Sequence, residues 1–235
     1  VVYFSSITVT ETKINFLDQF LDYDIFKLLF SIFCILIVIN GYIFIDGVNT
    51  LLIGYCLIIS SSLYYLNLNN IEISQIIDFY NFIPVLLALL ILNFFNKLYL
   101  GDGGAYFLGL LFALCLINTY QINNNISPYF IVCLLWYPAF ENLFSILRKK
   151  TFSRSPLKPD IYHLHQIIFL YLKKTFNVNI VLLNTATGMM INFYNLISIG
   201  IATHFYNHTK IQISIIVFNI IIYVFIYKNL LFKKK

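Results

Sequence analysis

The sequence predicts an all-α fold, a polytopic transmembrane helix bundle of about seven spans. Of its 235 residues, 60% are hydrophobic and 11% are charged, and the mean hydropathy is +0.83. Soluble domains are typically about 45–50% apolar and about 25% charged. The apolar residues also gather into stretches of about 20 residues, the length that crosses a bilayer. These observations exclude a soluble globular domain, a disordered chain and a fibrous repeat.

Seven apolar stretches follow an acidic amino-terminal segment, residues 1–24, which we interpret as an external loop. This segment lacks the positively charged start and the small-residue cleavage site of a signal peptide. Because the chain opens with Val1 rather than Met, we expect it to be a fragment of a longer protein. The predicted spans are 25–43, 48–66, 79–98, 104–120, 126–147, 181–204 and 211–231.

Basic residues orient the predicted bundle, because twelve of the fifteen Lys and Arg residues fall on one side of it. Cytoplasmic loops carry an excess of Lys and Arg, so this side is predicted to be cytoplasmic. Residues 25–147 then contain spans 1 to 5 and two cytoplasmic loops. Residues 148–180 form a basic, histidine-containing cytoplasmic loop, and residues 181–235 contain spans 6 and 7 and a basic tail.

Four acidic residues fall at the same face, although only Lys and Arg were used to define it. An acid at mid-bilayer costs roughly 2.5–3.5 kcal/mol, so carboxylates that touch spans are functional candidates. The four are Asp46, Asp102, Glu141 and Asp160. Glu141 could pair with Arg148 or cap the site, and we do not predict that it is catalytic.

The first candidate segment, residues 40–47, closes the first span. Asn40 and Asp46 would lie about 120° apart on a continuous helix, so a shared site requires the helix to end between them. Gly47 is a suitable helix breaker. The alternative is an ordinary helix stop with a solvated aspartate.

The second candidate segment, residues 101–105, joins two spans and carries three glycines around Asp102. Glycines let the backbone approach a ligand closely, and the N–H groups of a helix start favour phosphate. Asp102 is then a candidate metal ligand, since magnesium typically takes one or two protein carboxylates together with phosphate oxygens and water. The alternative is a tight turn in which Asp102 caps the next helix.

The third candidate segment is the basic loop, which contains Arg154, Asp160, His163 and His165. Two histidines two residues apart project together in extended backbone, where they could bond a phosphate or share a metal with Asp160. The alternative is that they are ordinary surface histidines, and that the basic residues only orient the protein.

Taken in order, the three segments resemble the motifs of the polyprenyl-phosphate N-acetylhexosamine-1-phosphate transferases, which belong to glycosyl transferase family 4. The family pattern N-A-x-N-x-x-D-G-x-x-G-L aligns with residues 40–51, G-D-x-G-[SA]-x-x-L-G with 101–109, and D-R-x-H-[IL]-H-H with 160–166. The second is nearly complete. The departures are Ile43, Thr50, Ile161 and Gln166, and the Asp-Asp dipeptide of an earlier family loop does not occur in the sequence.

The resemblance implies transfer of a sugar 1-phosphate from a UDP-N-acetylhexosamine to polyprenyl (undecaprenyl) phosphate, with release of UMP, at the start of lipid-linked cell-envelope glycan synthesis such as lipopolysaccharide. It implies Mg²⁺, with Mn²⁺ as an alternative, at a cytoplasmic-face site in the bacterial inner membrane. The partners are the two substrates and the lipid bilayer; no nucleic acid is expected, and a homodimer is left open.

The resemblance also assigns roles to individual residues. Asp102 is the metal ligand, and Asp46 and Asn40 line the nucleotide or metal site. His163, His165 and Arg154 contact phosphate, and Asp160 orients their loop.

Two other functions are left open by the sequence. A transporter or lipid flippase would also carry acids in its spans, but it would place them near the midplane. A catalytically inactive fragment of the transferase is the second alternative, because the Asp-Asp segment is missing.

Overall fold

The fold is all-α, as the sequence predicts. The computed structural model describes residues 6–123, 125–151 and 162–232, and these residues contain ten helices and no strand. The helices are α1 (Asn15–Leu21), α2 (Asp24–Ile45), α3 (Leu51–Leu68), α4 (Phe79–Phe94), α5 (Gly101–Ile122), α6 (Pro128–Leu134), α7 (Trp136–Thr151), α8 (Leu164–Thr175), α9 (Ile180–His204) and α10 (Thr209–Phe232).

Five of these helices, α2, α3, α5, α9 and α10, are long and apolar enough to cross a membrane. The chain is therefore a multi-pass membrane protein with a helical bundle. The third predicted stretch, 79–98, forms the shorter apolar helix α4 of 16 residues. At 1.5 Å per residue α4 is about 24 Å long, somewhat less than the roughly 30 Å hydrocarbon core of a bilayer.

The fifth predicted stretch, 126–147, is not one straight helix. It is divided at Leu135 into α6 and α7, whose axes differ by 76°. Pro138, in the first turn of α7, has no N–H and cannot bond the Leu134 carbonyl four residues earlier. The Tyr55 hydroxyl of α3 donates to that carbonyl instead, at 2.9 Å. The break is thus caused by proline and stabilised by a neighbouring helix.

Helix α2 packs closely on both α5 and α7. A Cβ atom at Gly41 would collide with the Pro138 carbonyl of α7, and one at Gly109 of α5 would lie 2.9 Å from the Ile39 Cα. The two glycines therefore allow three helix backbones to approach one another. The end of α2 that carries Asp46 is held between these neighbours.

Two predicted loops contain helices. The amino-terminal segment 1–24, interpreted as an external loop, includes α1. The basic loop 148–180 contains the end of α7 and the whole of α8, which begins between the two histidines of interest.

Candidate functional site

Asp46 is the residue at which α2 ends. It forms the carboxyl-terminal cap of the helix, with its N–H directed at the carbonyls of Tyr42 and Ile43. Its side chain is half-buried. The helix runs past Asn40 as far as Ile45, so Asn40 lies about 120° around the axis from the Asp46 position and is exposed there. The expectation that Asn40 and Asp46 share one site is not met by this geometry.

Asp102 lies in the first turn of α5 and faces Asp46 across the end of the bundle. The Gly101 N–H donates to the Asp46 carboxylate, and Gly101 has a φ of +69°, a conformation that glycine adopts without strain. Burial, and secondly the negative charge of Asp102, raise the pKa of Asp46 to about 7, while the Gly101 hydrogen bond acts in the opposite direction. Because the charge of Asp102 acts on the Asp46 carboxyl, the two acids lie at the same end of the bundle, where a cation would favour the ionised form of both.

The described residues leave space at the start of α5. Among them, no atom would lie within 4 Å of a Cβ placed at Gly101 or Gly103. The exposed start of α5 therefore presents backbone N–H groups and the Asp102 side chain to an incoming ligand.

The two histidines of the third segment lie against the same end of α2. The His163 ring is 4.8 Å from the Phe44 ring, between centroids, and stacks on His165 at 5.8 Å and 11°. A Cβ at Gly47 would collide with the His165 Nε2 atom. All three candidate segments therefore converge around residues 44–47 of the chain.

The histidines converge in a different way from the one the sequence suggested. His163 is extended and caps α8, whereas His165 is already inside that helix. Neither is a surface side chain: His163 is 6% exposed and His165 is fully buried. Burial lowers the pKa of His165 to about 4, so its imidazole is neutral at physiological pH.

Glu141 is the functional candidate that sequence reasoning set aside. It is 1% exposed, and its carboxylate accepts hydrogen bonds from His163 Nδ1 at 2.9 Å, the Leu164 N–H at 3.2 Å and the Tyr223 hydroxyl at 2.8 Å. The sequence signal was a single acid inside an apolar run. Its partners lie 22 to 82 residues away, so they could not be read from local spacing.

The turn after Asp46 is fixed by side-chain amides of other helices. Asn93 of α4 accepts the Thr50 N–H, Asn184 of α9 accepts the Asn49 N–H at 3.1 Å, and Asn192 of α9 donates to the Thr50 carbonyl at 2.8 Å. A buried turn needs such partners for its backbone groups. The amides therefore hold the segment that follows the Asp46 carboxylate.

Thr50 stands where the family pattern has glycine, and its backbone conformation shows why glycine suits this position. It has a φ of +68°, which is costly for a β-branched residue and free for the glycine that the pattern carries. The Thr50 hydroxyl donates to the carbonyl of Asn49 at 2.6 Å and also faces that of Thr185 at 3.2 Å. These bonds offset part of the backbone strain.

Two predicted site residues, Arg154 and Asp160, lie outside the described residues. Within residues 6–123, 125–151 and 162–232, no group of three or more His, Cys, Asp or Glu side chains could hold a metal. A divalent cation at the pair Asp46 and Asp102 would thus need oxygens from a phosphate ligand and water to complete its coordination, which is the usual arrangement for magnesium. The donor set fits such an ion.

Comparison with known proteins gives one match. Residues 1–120, just over half of the chain, match the sequence model described as Glycosyl transferase family 4. The match includes the segments with Asp46 and Asp102. No curated protein and no solved structure matches the chain.

Proposed function

The chain belongs to glycosyl transferase family 4, and from this premise we propose that it transfers a sugar 1-phosphate from a UDP-N-acetylhexosamine to polyprenyl phosphate. The phosphate oxygen of the lipid attacks the phosphorus that carries the sugar. The bond from this phosphorus to UMP breaks, and UMP leaves with the bonding electrons. The product is a lipid pyrophosphate sugar.

The single observation that carries this proposal is the carboxylate pair of Asp46 and Asp102 at the end of the bundle, beside the exposed start of α5. Attack of one phosphate on another is opposed by their negative charges, so catalysis depends on positioning and on cancelling charge. A divalent cation held by Asp102 and Asp46 would supply that positive charge. The Gly101–Asp102 segment would orient the pyrophosphate through backbone N–H groups.

The two imidazoles fit a role beside the phosphates. His163 and His165 stack beside Phe44 and Gly47, which flank Asp46 on either side. An imidazole N–H donates to a phosphate oxygen, so a ring nitrogen that carries a proton and faces the site can hold a phosphate. We assign His163 and His165 to phosphate contact on this basis.

An apolar cavity of about 350 Å³ fits the hydrocarbon chain of the lipid acceptor. It lies between α2, α5 and the bent pair α6 and α7, and Val38, Ala113, Leu135 and Leu143 are among its lining residues. Glu11, Ile14 and Leu17 of the amino-terminal segment also line it, so most of the cavity lies in the half of the bundle away from Asp46 and Asp102. Only the distal part of a long lipid chain would occupy it while the lipid phosphate reaches the carboxylate pair.

The proposal is tested by measuring UMP release from a UDP-N-acetylhexosamine in membranes that contain polyprenyl phosphate and Mg²⁺. The protein is expressed with any in-frame coding sequence upstream of Val1, which also tests the expectation that the chain is a fragment. We expect Mg²⁺-dependent release in the parent protein. Asp102→Asn should reduce it at least about 100-fold, since charge-stabilising groups contribute on that scale.

Asp78→Asn is the matched control. Asp78 caps the amino end of α4, about 24 Å from the other end of that helix, and asparagine is an equally good cap. It should leave UMP release unchanged. Full activity in an inserted Asp102→Asn protein, or no release from the parent, would contradict the proposal.

A further inference from the structure

Glu141 connects the histidine segment to the last helix of the bundle. Its Oε1 atom accepts from His163 Nδ1 and from the Leu164 N–H, and its Oε2 atom accepts from the Tyr223 hydroxyl. The three donors come from the start of α8 and from α10, while Glu141 itself lies in α7. One buried carboxylate thus joins three helices that are distant in sequence.

This contact fixes which nitrogen of His163 carries a proton. Oε1 already accepts a backbone N–H, which can only donate, so it also acts as an acceptor toward the imidazole. The proton of the bond therefore belongs to Nδ1. Any bond from this ring to a substrate is then made by Nε2, as in other imidazoles that are oriented by a carboxylate.

The second histidine has no such support. Both ring nitrogens of His165 are buried without a hydrogen-bond partner among the described residues. The two stacked rings therefore differ in their hydrogen bonding. His163 is oriented by a carboxylate, and His165 fills the space against Gly47 as a neutral ring.

Tyr223 is held firmly enough to orient Glu141 in turn. Its ring makes edge or tilted contacts with three aromatic rings of α7 and stacks on one further ring of α10: Tyr137, Phe140, Phe144 and Tyr227. Tyr223 is 1% exposed. A side chain packed this way has few alternative rotamers, so its hydroxyl is fixed relative to the Glu141 carboxylate.

We propose that Glu141, oriented by Tyr223, is a positioning residue for the transfer reaction: it holds the His163 ring through the Nδ1 proton, so that Nε2, when it also carries a proton, donates to a phosphate oxygen of the substrate. This role rests on the proposed function. It is separate from metal binding, because Glu141 reaches the site through His163. The resemblance to the family assigned no role to this glutamate.

The test combines steady-state kinetics with ¹⁵N NMR of histidine-labelled protein, in the membrane-inserted chain. Glu141→Gln should lower kcat about 10- to 100-fold, the usual cost of removing a group that orients an imidazole. The KM for the UDP-sugar should stay within about twofold, since ground-state binding is not the affected step. The His163 signal should show a protonated Nδ1 in the parent and a changed nitrogen shift in Glu141→Gln.

Two further variants separate orientation from folding. Tyr223→Phe removes only the hydroxyl and should lower kcat in the same direction. Tyr137→Phe, in the same aromatic cluster, removes a buried hydroxyl that has no hydrogen-bond partner among the described residues and should leave kcat unchanged. In a His163→Asn background, Glu141→Gln should cost no further activity, because its effect passes through the imidazole.

The outcomes are distinguishable from failure of the proposed function. A parent protein without UMP release removes the transferase proposal and the positioning role together. An active parent whose kcat is unchanged in Glu141→Gln overturns the positioning role alone. The positioning role is also overturned if the NMR spectrum shows no proton on His163 Nδ1. It is overturned as well if Glu141→Gln lowers activity equally in the parent and in the His163→Asn background.

Discussion

Individual residues of the site differ in how far their roles follow from sequence. The sequence identified Asp46, Asp102, His163 and His165 because each belongs to a short ordered motif. It also grouped Asn40 with them, on the condition that the helix ends between Asn40 and Asp46, and the helix continues to Ile45 instead. The direction of such a side chain depends on where the helix ends, because one residue rotates a side chain by about 100°.

Thr50 shows what a local pattern cannot reveal. The family pattern carries glycine there, and the positive φ of +68° gives the physical reason. The turn accommodates threonine because the Thr50 hydroxyl and the side-chain amides of Asn93 and Asn192 form hydrogen bonds with its backbone groups. Those partners come from α4 and α9, so only the folded chain displays them.

We predict that Thr50→Gly is more stable than Thr50→Ala by about 1 kcal/mol. Both variants remove the hydroxyl, but only alanine keeps the penalty of a Cβ atom at positive φ. The comparison is made by thermal or denaturant unfolding in detergent, with the parent as reference. Equal stability of the two variants would show that the turn relaxes out of the left-handed region.

Helices α6 and α7 show where an element-level prediction succeeded and where it failed. The apolar run 126–147 was found, and five other predicted spans correspond to the long helices. Its division at Leu135 was not predicted, although Pro138 was a visible signal. Hydropathy depends on how many residues are apolar and does not register the N–H that Pro138 lacks. It therefore could not predict the bend of 76°.

We predict that Tyr55→Phe destabilises the bundle by about 1–3 kcal/mol, because it leaves the buried Leu134 carbonyl at the helix break without a donor. The measurement is the free energy of unfolding in detergent. Tyr137→Phe serves as the control. Its hydroxyl is buried without a partner in the part of the chain that the structure describes, so its removal should be neutral or slightly stabilising. A loss in the control as large as that in Tyr55→Phe would show that the helix break does not depend on this bond.

At the scale of the whole molecule, the polar groups of the site lie at one end of the bundle. Asp46, Asp102 and the two histidines meet there, as do the ends of α4 and α9 that bond the turn after Asp46. Alternation of spans predicted this convergence, because every second pass returns the chain to the same side. The transporter alternative expected acids near the midplane, which these helix-end positions do not match.

The tertiary contacts of the site residues could not be predicted from the sequence. Glu141 and Tyr223 are 82 residues apart, and nothing in either local pattern connects them. The amides that fix the turn after Asp46 are likewise spread over α4 and α9. Motifs identify groups that contact substrate, whereas the groups that orient them are specified by packing. The cytoplasmic orientation of this end stays a prediction from the distribution of Lys and Arg.

The central claim, that Asp46 and Asp102 share one divalent cation with the substrate pyrophosphate, is tested most directly by Mn²⁺ binding. Mn²⁺ titrations followed by electron paramagnetic resonance, with a UDP-N-acetylhexosamine present, should show one site at pH 8. Binding should weaken by up to about tenfold per unit as the pH falls below about 7, because a proton on Asp46 then competes with the metal. Asp46→Asn and Asp102→Asn should each lose the site, and Asp78→Asn should retain it. Parent-like Mn²⁺ affinity in both site variants would contradict the claim.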